Sequence, residues 1–275
     1  MSVVPVSVVI PTSGRFDLLE RALNSLVQST LVPREVIIVA DSSLENPNEY
    51  LESLKSQFGQ SFEKLICIQS FRASGAAGTR NAGMSLVSNE FVAFLDDDDE
   101  FLPEKLKIQV SAMQESGAIF SFSDYIRVSD SLSTYADCRP KQRYKGNLAR
   151  EIAFDDCRIA TPTVVLRMSF VEQLMPLFPE EMALREDNYA WLRILLKPGA
   201  ISVHLPEALS QVNLAESSVQ RPAEGPKISS GFVTSEARSI ISLAKRSGLR
   251  APFLHLPIRL LVTFSLFTLD KLLKK

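Results

Sequence analysis

Apolar positions along this chain alternate between two periods, and the alternation predicts its elements. Residues 6–10 form a β-branched run suited to a strand buried on both faces, and Pro11-Thr12-Ser13-Gly14 ends it. Phe16, Leu19, Leu23 and Leu26 then recur at helical spacing. A second strand over 36–40 stops at Asp41-Ser42-Ser43, helical spacing returns over 50–58, and a third short strand covers 65–68. The small-residue loop Ala73-Ser74-Gly75-Ala76-Ala77-Gly78 leads into a helix over 79–87. A fourth strand, 91–95, runs directly into Asp96-Asp97-Asp98-Asp99.

Strands alternating with helices predict a parallel sheet with right-handed crossovers, and ligands of such sheets gather outside the carboxyl ends of the strands. Asp41 and Asp96 both stand at such ends, so two carboxylates far apart in sequence are expected at one crevice. Beyond Leu102 the alternation weakens. The pattern there gives a helix over 103–114 with proline in its first turn, strands at 118–122 and 125–128, and a polar loop or hairpin over 130–147. A strand at 163–166 precedes a helix beginning near Ser169. Arg185-Glu186-Asp187 opens an amphipathic helix through Tyr189, Leu192, Leu195 and Leu196, its acidic first turn answering the helix dipole.

Residues 215–231, rich in Ser, Pro, Gly and Glu, read as a linker or flap. The tail over 252–275 is largely apolar and closes on Lys271, Lys274 and Lys275. It suits an interfacial helix at a membrane surface, and equally a helix docked on its own core or on a second subunit. The expected organisation is one main domain over 1–220, followed by a linker and helical extension over 221–275.

Composition narrows the classes. The 275 residues are 45% hydrophobic and 23% charged, as in a folded globular protein. With 30 Lys+Arg against 32 Asp+Glu there is no bulk positive field for a polyanion, so nucleic acid is not an expected partner. Cys67, Cys138 and Cys157 form no CxxC pair and are odd in number, which points to a reducing cytoplasm rather than a disulfide framework. The N-terminus lacks a basic signal region, and no stretch of 18 residues is free of charge or proline. A cytoplasmic chain without a spanning helix is expected.

A strand that delivers several carboxylates to one turn loses stability to mutual repulsion unless a cation or hydrogen-bond donors compensate. Hard oxygen ligands suit Mg2+ or Mn2+, which keep several waters and bind substrate phosphates alongside one or two carboxylates. An isolated acidic run reads better as a solvated turn capping the helix near Pro103. Its position directly after an apolar strand in a βαβ series reverses that preference.

Five segments, in order, resemble family 2 glycosyltransferases of the inverting GT-A type, of the bacterial surface-polysaccharide kind, over about residues 4–220. They are Val6-Ser7-Val8-Val9-Ile10-Pro11-Thr12, Glu35-Val36-Ile37-Ile38-Val39-Ala40-Asp41-Ser42-Ser43, Gly78-Thr79-Arg80-Asn81-Ala82-Gly83, Phe94-Leu95-Asp96-Asp97-Asp98-Asp99 and Arg185-Glu186-Asp187. The resemblance implies an α/β fold, a GT-A Rossmann-like and mostly parallel sheet flanked by helices, with a C-terminal helical extension. It places Asp96 on the nucleoside side with Asp97 beside it, and Asp98 on the metal, Mn2+ or Mg2+. Asp41 becomes the candidate uracil contact, Pro11, Thr12 and Arg15 line the same pocket, and Arg80 flanks the nucleotide. Asp187 becomes the general base of the transfer.

The implied activity moves a sugar from a nucleotide diphosphate donor, UDP-linked by preference, to a hydroxyl of a surface glycan or its lipid-linked precursor. The implied location is cytoplasmic, peripheral on the inner face of the membrane if the tail binds lipid. Residue-level alternatives stay open: Arg80-Asn81 also suits helix initiation after a glycine loop, and Glu186-Asp187 also suits an acidic first turn. Trp191 suits the core better than a place under the acceptor. One departure stands out. Many family members carry a further metal-ligating histidine where this chain has Leu209-Ser210-Gln211-Val212-Asn213-Leu214. Asn213 could supply an oxygen there, and His204 and His255 read as structural. The departure motivates an alternative, an inactive nucleotide-binding GT-A scaffold; a metal-dependent phosphohydrolase is a weaker one.

Overall fold

The computed structural model describes residues 5–129, 132–140, 148–154, 158–182 and 186–213. The linker and the apolar tail read from the sequence, together with Cys157, Arg185 and His255, lie outside the described residues.

Among the described residues, nine strands form one sheet. They are β1 Val6–Thr12, β2 Glu35–Ala40, β3 Lys64–Gln69, β4 Phe91–Phe94, β5 Glu100–Phe101, β6 Phe120–Ser129, β7 Leu132–Ala136, β8 Val164–Arg167 and β9 Ser202–Asn213. The helices are α1 Phe16–Val27, α2 Asn48–Phe58, α3 Ala76–Met84, α4 Lys105–Ser116, α5 Leu148–Phe154, α6 Met168–Val171 and α7 Glu186–Leu195. Strand order is β3-β2-β1-β4-β8-β6-β9-β5, with β7 paired to β6. The first four strands are parallel, as the βαβ pattern requires. Beyond β4 the sheet is mixed: β8 joins antiparallel to β4 and β6, and β9 runs parallel to β6. This mixed α/β sheet flanked by helices is the GT-A architecture.

Side chains along β1 divide the core in two. Val8 and Ile10 face α1, α2 and α4 with Leu19, Leu23, Leu51, Leu54 and Leu106. Val9 faces the opposite side with Ile37, Val39, Ala82, Phe94 and Trp191. Full burial of each such aliphatic side chain contributes roughly 1.5–3 kcal/mol, and a strand loaded on both faces fits only the middle of a covered sheet. Among the described residues, no helix is long and apolar enough to cross a membrane.

Several boundaries differ from the sequence reading. The first strand continues through Pro11 to Thr12. The helix expected over 79–87 begins at Ala76, because Gly75 takes the positive φ of 106° that turns the chain into it, and it ends at Met84. The two strands expected at 118–122 and 125–128 are one strand, β6. Its polar centre, Ser123-Asp124, looks like a break in sequence. It lies fully buried at a bulge, where the register against β9 shifts on either side of Asp124.

Helix α3 approaches the sheet so closely that only glycine fits at Gly83. A Cβ there would lie 2.4 Å from Cγ1 of Val9 and 3.2 Å from Cγ2 of Val39. Gly83→Ala is therefore expected to lower stability by about 1–3 kcal/mol through overpacking, measured as a shift of the urea midpoint. Wild-type stability in this variant would contradict the close approach.

Candidate active site

Three neighbouring parallel strands deliver the predicted residues to one edge. β1 lies between β2 and β4, so Thr12, Asp41 and the aspartate run emerge side by side. The backbone fixes this juxtaposition: the Asp41 amide donates to Thr12 O at 2.8 Å, and the Leu95 amide donates to Val9 O at 3.1 Å. Asp41 and Asp96 thus follow the two strands that flank β1, at one edge of the sheet.

Within the aspartate run, a backbone bond from the Asp99 amide to Asp96 O, 3.0 Å, closes a tight turn. The turn separates the four carboxylates. Thr12 Oγ1 donates to Asp97 Oδ2 at 2.6 Å, and the Arg15 guanidinium bridges Asp97 and Asp98. Asp99 Oδ1 accepts from the Asn213 amide at 2.9 Å. Asp96 is the most open of the first three, its side chain 26% exposed against 2% for Asp97 and 12% for Asp98. Burial raises the carboxyls of Asp97 and Asp98 above the usual range, against the pull of Thr12 and Arg15 on the first and of Arg15 on the second. Burial, reinforced by Asp96 and Asp98, pushes Asp99 well above it.

Asn213 does not point a free amide at this turn. Its Nδ2 donates to the backbone carbonyl of Asp98 at 2.6 Å, and Arg21 Nη2 reaches the same oxygen at 3.0 Å. The position where the sequence lacks a histidine therefore supports the Asp98-Asp99 backbone. Arg21, whose Nε also pairs with Glu100 at 2.9 Å, escaped the sequence reading. On α1 it looks like any solvated arginine, and only the packing of α1 beside β5 reveals it.

Arg80 joins the second half of the chain to this edge. Its guanidinium is held between Asp96 Oδ1 at 2.7 Å and Glu186 Oε1 at 2.8 Å, and lies over the Phe178 ring at 5.6 Å. Burial alone would weaken its charge, but Asp96 and Glu186 outweigh that and hold the proton more tightly than usual. Its neighbour Asn81 accepts from the amides of Leu177 and Phe178, both at 3.0 Å, and donates to Phe178 O at 2.7 Å. The Arg80-Asn81 pair thereby fastens both the segment leading to α7 and the first residue of α7 itself.

Asp187 follows directly. Its carboxyl accepts from the Asn188 amide at 2.7 Å and weakly from Thr161 Oγ1 at 3.4 Å. Burial first, and repulsion from Glu186 second, push its pKa up to about 6, with Arg80 opposing. Thr161, in a short 3-10 turn before β8, had no signal in the sequence. It reaches Asp187 because β8 pairs with β4. Trp191 is fully buried among Phe94, Phe120 and Phe178, a core residue.

Asp41 is held differently from the others. Ser43 donates through its amide at 2.8 Å and its hydroxyl at 2.6 Å, Ser74 Oγ at 2.7 Å, the Gly75 amide at 2.6 Å and Thr79 Oγ1 at 3.2 Å. Burial disfavours this charge, yet the donors dominate and lower its pKa to about 2. Asp41 thus ties the end of β2 to the loop and first turn of α3, and any further ligand must replace one of these donors.

A second group of ligand-type side chains, Asp124, Asp137 and His204, brings its polar atoms within 4.8 Å of one another. Asp124 is already served by Tyr135 Oη at 2.6 Å, the Cys138 amide at 2.7 Å and His204 Nε2 at 2.8 Å. That arrangement links β6, β7 and β9 through Asp124, Tyr135 and His204.

Because the folded pKa of Asp41 is depressed, its stabilisation is complete above the unfolded pKa near 4 and is lost as pH falls toward 2. The size is on the order of 2 kcal/mol. Asp41→Asn is expected to be less stable than wild type by this order at pH 6, with the difference reduced to about half at pH 3. Urea unfolding at both pH values measures it, and a difference that does not change with pH would contradict the assignment.

Known proteins bear on this geometry. The model of "Glycosyl transferase family 2" matches residues 7–174, well over half of the chain. An uncharacterized glycosyltransferase of Rickettsia bellii is 32% identical over 189 residues, which are 69% of this chain and 26% of that protein. The chain thus spans between a quarter and a third of the length of the Rickettsia relatives it matches. WfaP of Escherichia coli, a UDP-Glc:alpha-D-GlcNAc-diphosphoundecaprenol beta-1,3-glucosyltransferase, is 29% identical over 70% of each chain. Among solved structures, S. aureus TarS 1–349 in complex with UDP-GlcNAc superposes with a TM-score of 0.68 at 21% identity, covering 94% of this chain and 71% of that one. With the strand order, the acidic turn at the carboxyl edge and the match over residues 7–174 in agreement, the chain belongs to glycosyl transferase family 2.

Proposed function

We propose that this glycosyltransferase moves a sugar, with inversion, from a UDP-linked donor to a hydroxyl of a lipid-linked saccharide or surface glycan. The observation that carries the proposal is Asp187: a half-buried carboxyl with a pKa of about 6, held through Glu186 and Arg80 to Asp96 of the acidic turn. A base of that strength beside a phosphate-binding edge suits proton removal from an attacking alcohol near neutral pH. The name of WfaP supports a UDP-sugar donor and a lipid-diphosphate acceptor, and the TarS complex supports a UDP-sugar.

In this reading Pro11, Thr12, Arg15 and Asp41 line the nucleoside end, Asp96 with Asp97 takes the ribose side, and Arg80 orients Asp96. A divalent cation, Mn2+ or Mg2+, fits the donor set. Among the described residues Asp96 to Asp99, Glu186 and Asp187 are six carboxylates paired with two guanidiniums, and burial leaves Asp97, Asp98 and Asp99 short of compensation. Asp98, with Asp96 beside it, would hold the ion. The chemistry such an ion supplies when bound is Lewis-acid stabilisation of charge on the leaving diphosphate. Asp187 accepts the proton of the acceptor hydroxyl as its oxygen bonds to the anomeric carbon and the bond from that carbon to the diphosphate breaks on the opposite face. One displacement inverts the centre, with no sugar-enzyme bond. The tail over 252–275, by its apolar sequence and its closing lysines, is proposed to meet either the membrane or a second subunit.

The protein should be incubated with Mn2+, a panel of nucleotide-sugars and a GlcNAc-diphospholipid acceptor, with nucleoside diphosphate release and sugar transfer followed separately. Transfer is expected; donor binding without turnover would favour the scaffold reading. Asp187→Asn is expected to retain donor binding while transfer falls by about 100-fold or more, and unimpaired turnover would overturn the base assignment. Because the base acts deprotonated, wild-type kcat/KM should fall about tenfold per unit as pH drops below about 6 and level off above it.

A further inference from the structure

Among the described residues two arginines pair with carboxylates of the aspartate run, and they are held differently. Arg80 is nearly sealed, its side chain 6% exposed, and both ends of its guanidinium are fixed by carboxylates on separate elements. Arg15 is 33% exposed and lies in the loop between β1 and α1, directly after Gly14, whose φ of 96° an L side chain rarely adopts. Its Nη1 and Nη2 grip Asp98 and Asp97, while its Nε, like that of Arg80, is buried with no partner among the described residues, so what sets Arg15 apart is its partial exposure and its loop. A buried N–H without an acceptor costs on the order of 1–3 kcal/mol. Arg15 therefore satisfies the two carboxylates better than they satisfy it.

We infer that Arg15 competes with the divalent cation for Asp98, so that the ion binds well only together with a nucleoside diphosphate that draws the guanidinium away. The inference rests on Asp98 being the carboxylate that holds the cation. A guanidinium and a divalent ion repel, and they cannot share one carboxylate oxygen at close range. A diphosphate changes the balance, because its oxygens offer a planar guanidinium the paired acceptors it prefers. Arg15 is positioned to make that exchange. It starts from an exposed loop, has one donor still to satisfy, and stands on the same strand end as Thr12. Thr12 Oγ1 keeps Asp97 supplied with a donor after Arg15 has left. The ion and the nucleotide are then coupled through one residue that opposes the ion alone and assists the pair, and each raises the affinity of the other by the same factor.

The coupling has a readout that needs no turnover. Mn2+ binding to the full chain, followed by the electron paramagnetic resonance of free Mn2+, should be measured with and without UDP for wild type, Arg15→Gln, Arg15→Lys and Asp98→Ala. If Arg15 holds Asp98 about nine-tenths of the time, the apparent affinity for Mn2+ alone is reduced about tenfold. Arg15→Gln should therefore bind Mn2+ alone about tenfold more tightly than wild type, and the enhancement by UDP, large in wild type, should shrink by a similar factor. Arg15→Lys, which keeps the charge but cannot span both carboxylates, should fall between. Mn2+ binding by Arg15→Gln and Arg15→Lys that is no tighter than wild type, with Asp98→Ala abolishing it, would overturn the inference alone. If Asp98→Ala leaves every isotherm unchanged, the ion sits elsewhere, and the assignment of Asp98 falls together with the inference.

Discussion

The buried guanidinium of Arg80, held between Asp96 and Glu186, is the interaction on which the rest of this site depends. Asp96 ends the fourth strand and Glu186 opens α7, about ninety residues later. Nothing in the local chain would hold them together. Two carboxylates facing each other in a poorly solvated region repel, and removing the cation between them would cost about 3–5 kcal/mol of the kind seen when a buried pair is broken. The bridge is rigid because the helix that carries it is rigid: α3 lies hard against β1 and β2, and Gly83 permits that contact. A packing constraint at Gly83 thus becomes a positional constraint on Arg80, and through Glu186 on Asp187.

The same shortage of positive charge governs the chemistry. Among the described residues the edge gathers more carboxylates than guanidiniums, and burial makes Asp97, Asp98, Asp99 and Asp187 costly to ionise. At the acidic turn the shortage is what the proposed divalent ion and diphosphate would relieve. At Asp187 burial first, and Glu186 second, raise the carboxyl to a pKa of about 6, which suits the proposed base. Asp41 shows the opposite treatment on the same edge. Five donors surround it, its charge is stabilised, and it serves as a clamp on the loop that leads into α3.

Much of this was legible in the sequence where local pattern and tertiary structure agree. The four parallel strands read correctly because a strand covered on both faces must be continuously apolar, and β1, β2 and β4 are buried along their whole length. The juxtaposition of Asp41 with the aspartate run followed from strand ends alone. The pattern failed where polar residues are buried. Ser123-Asp124 looked like a gap between strands and is a bulge inside one, its charge satisfied by Tyr135, the Cys138 amide and His204. Arg80 and Glu186 carry no local sign of being partners, and Thr161 meets Asp187 only because β8 inserts antiparallel beside β4. Asn213 was weighed as a ligand for its side-chain oxygen, and its visible use is the donation of its amide groups to the turn.

The account holds that the nucleotide end and the base form one site, built for a single displacement at the anomeric carbon. The most direct measurement is the anomeric configuration of the product, read by proton nuclear magnetic resonance after transfer from the donor that the enzyme accepts. A sugar α-linked in the nucleotide should appear β-linked in the product. An α-linked product would mean that the donor's configuration is retained, and would contradict both the single displacement and the role of Asp187.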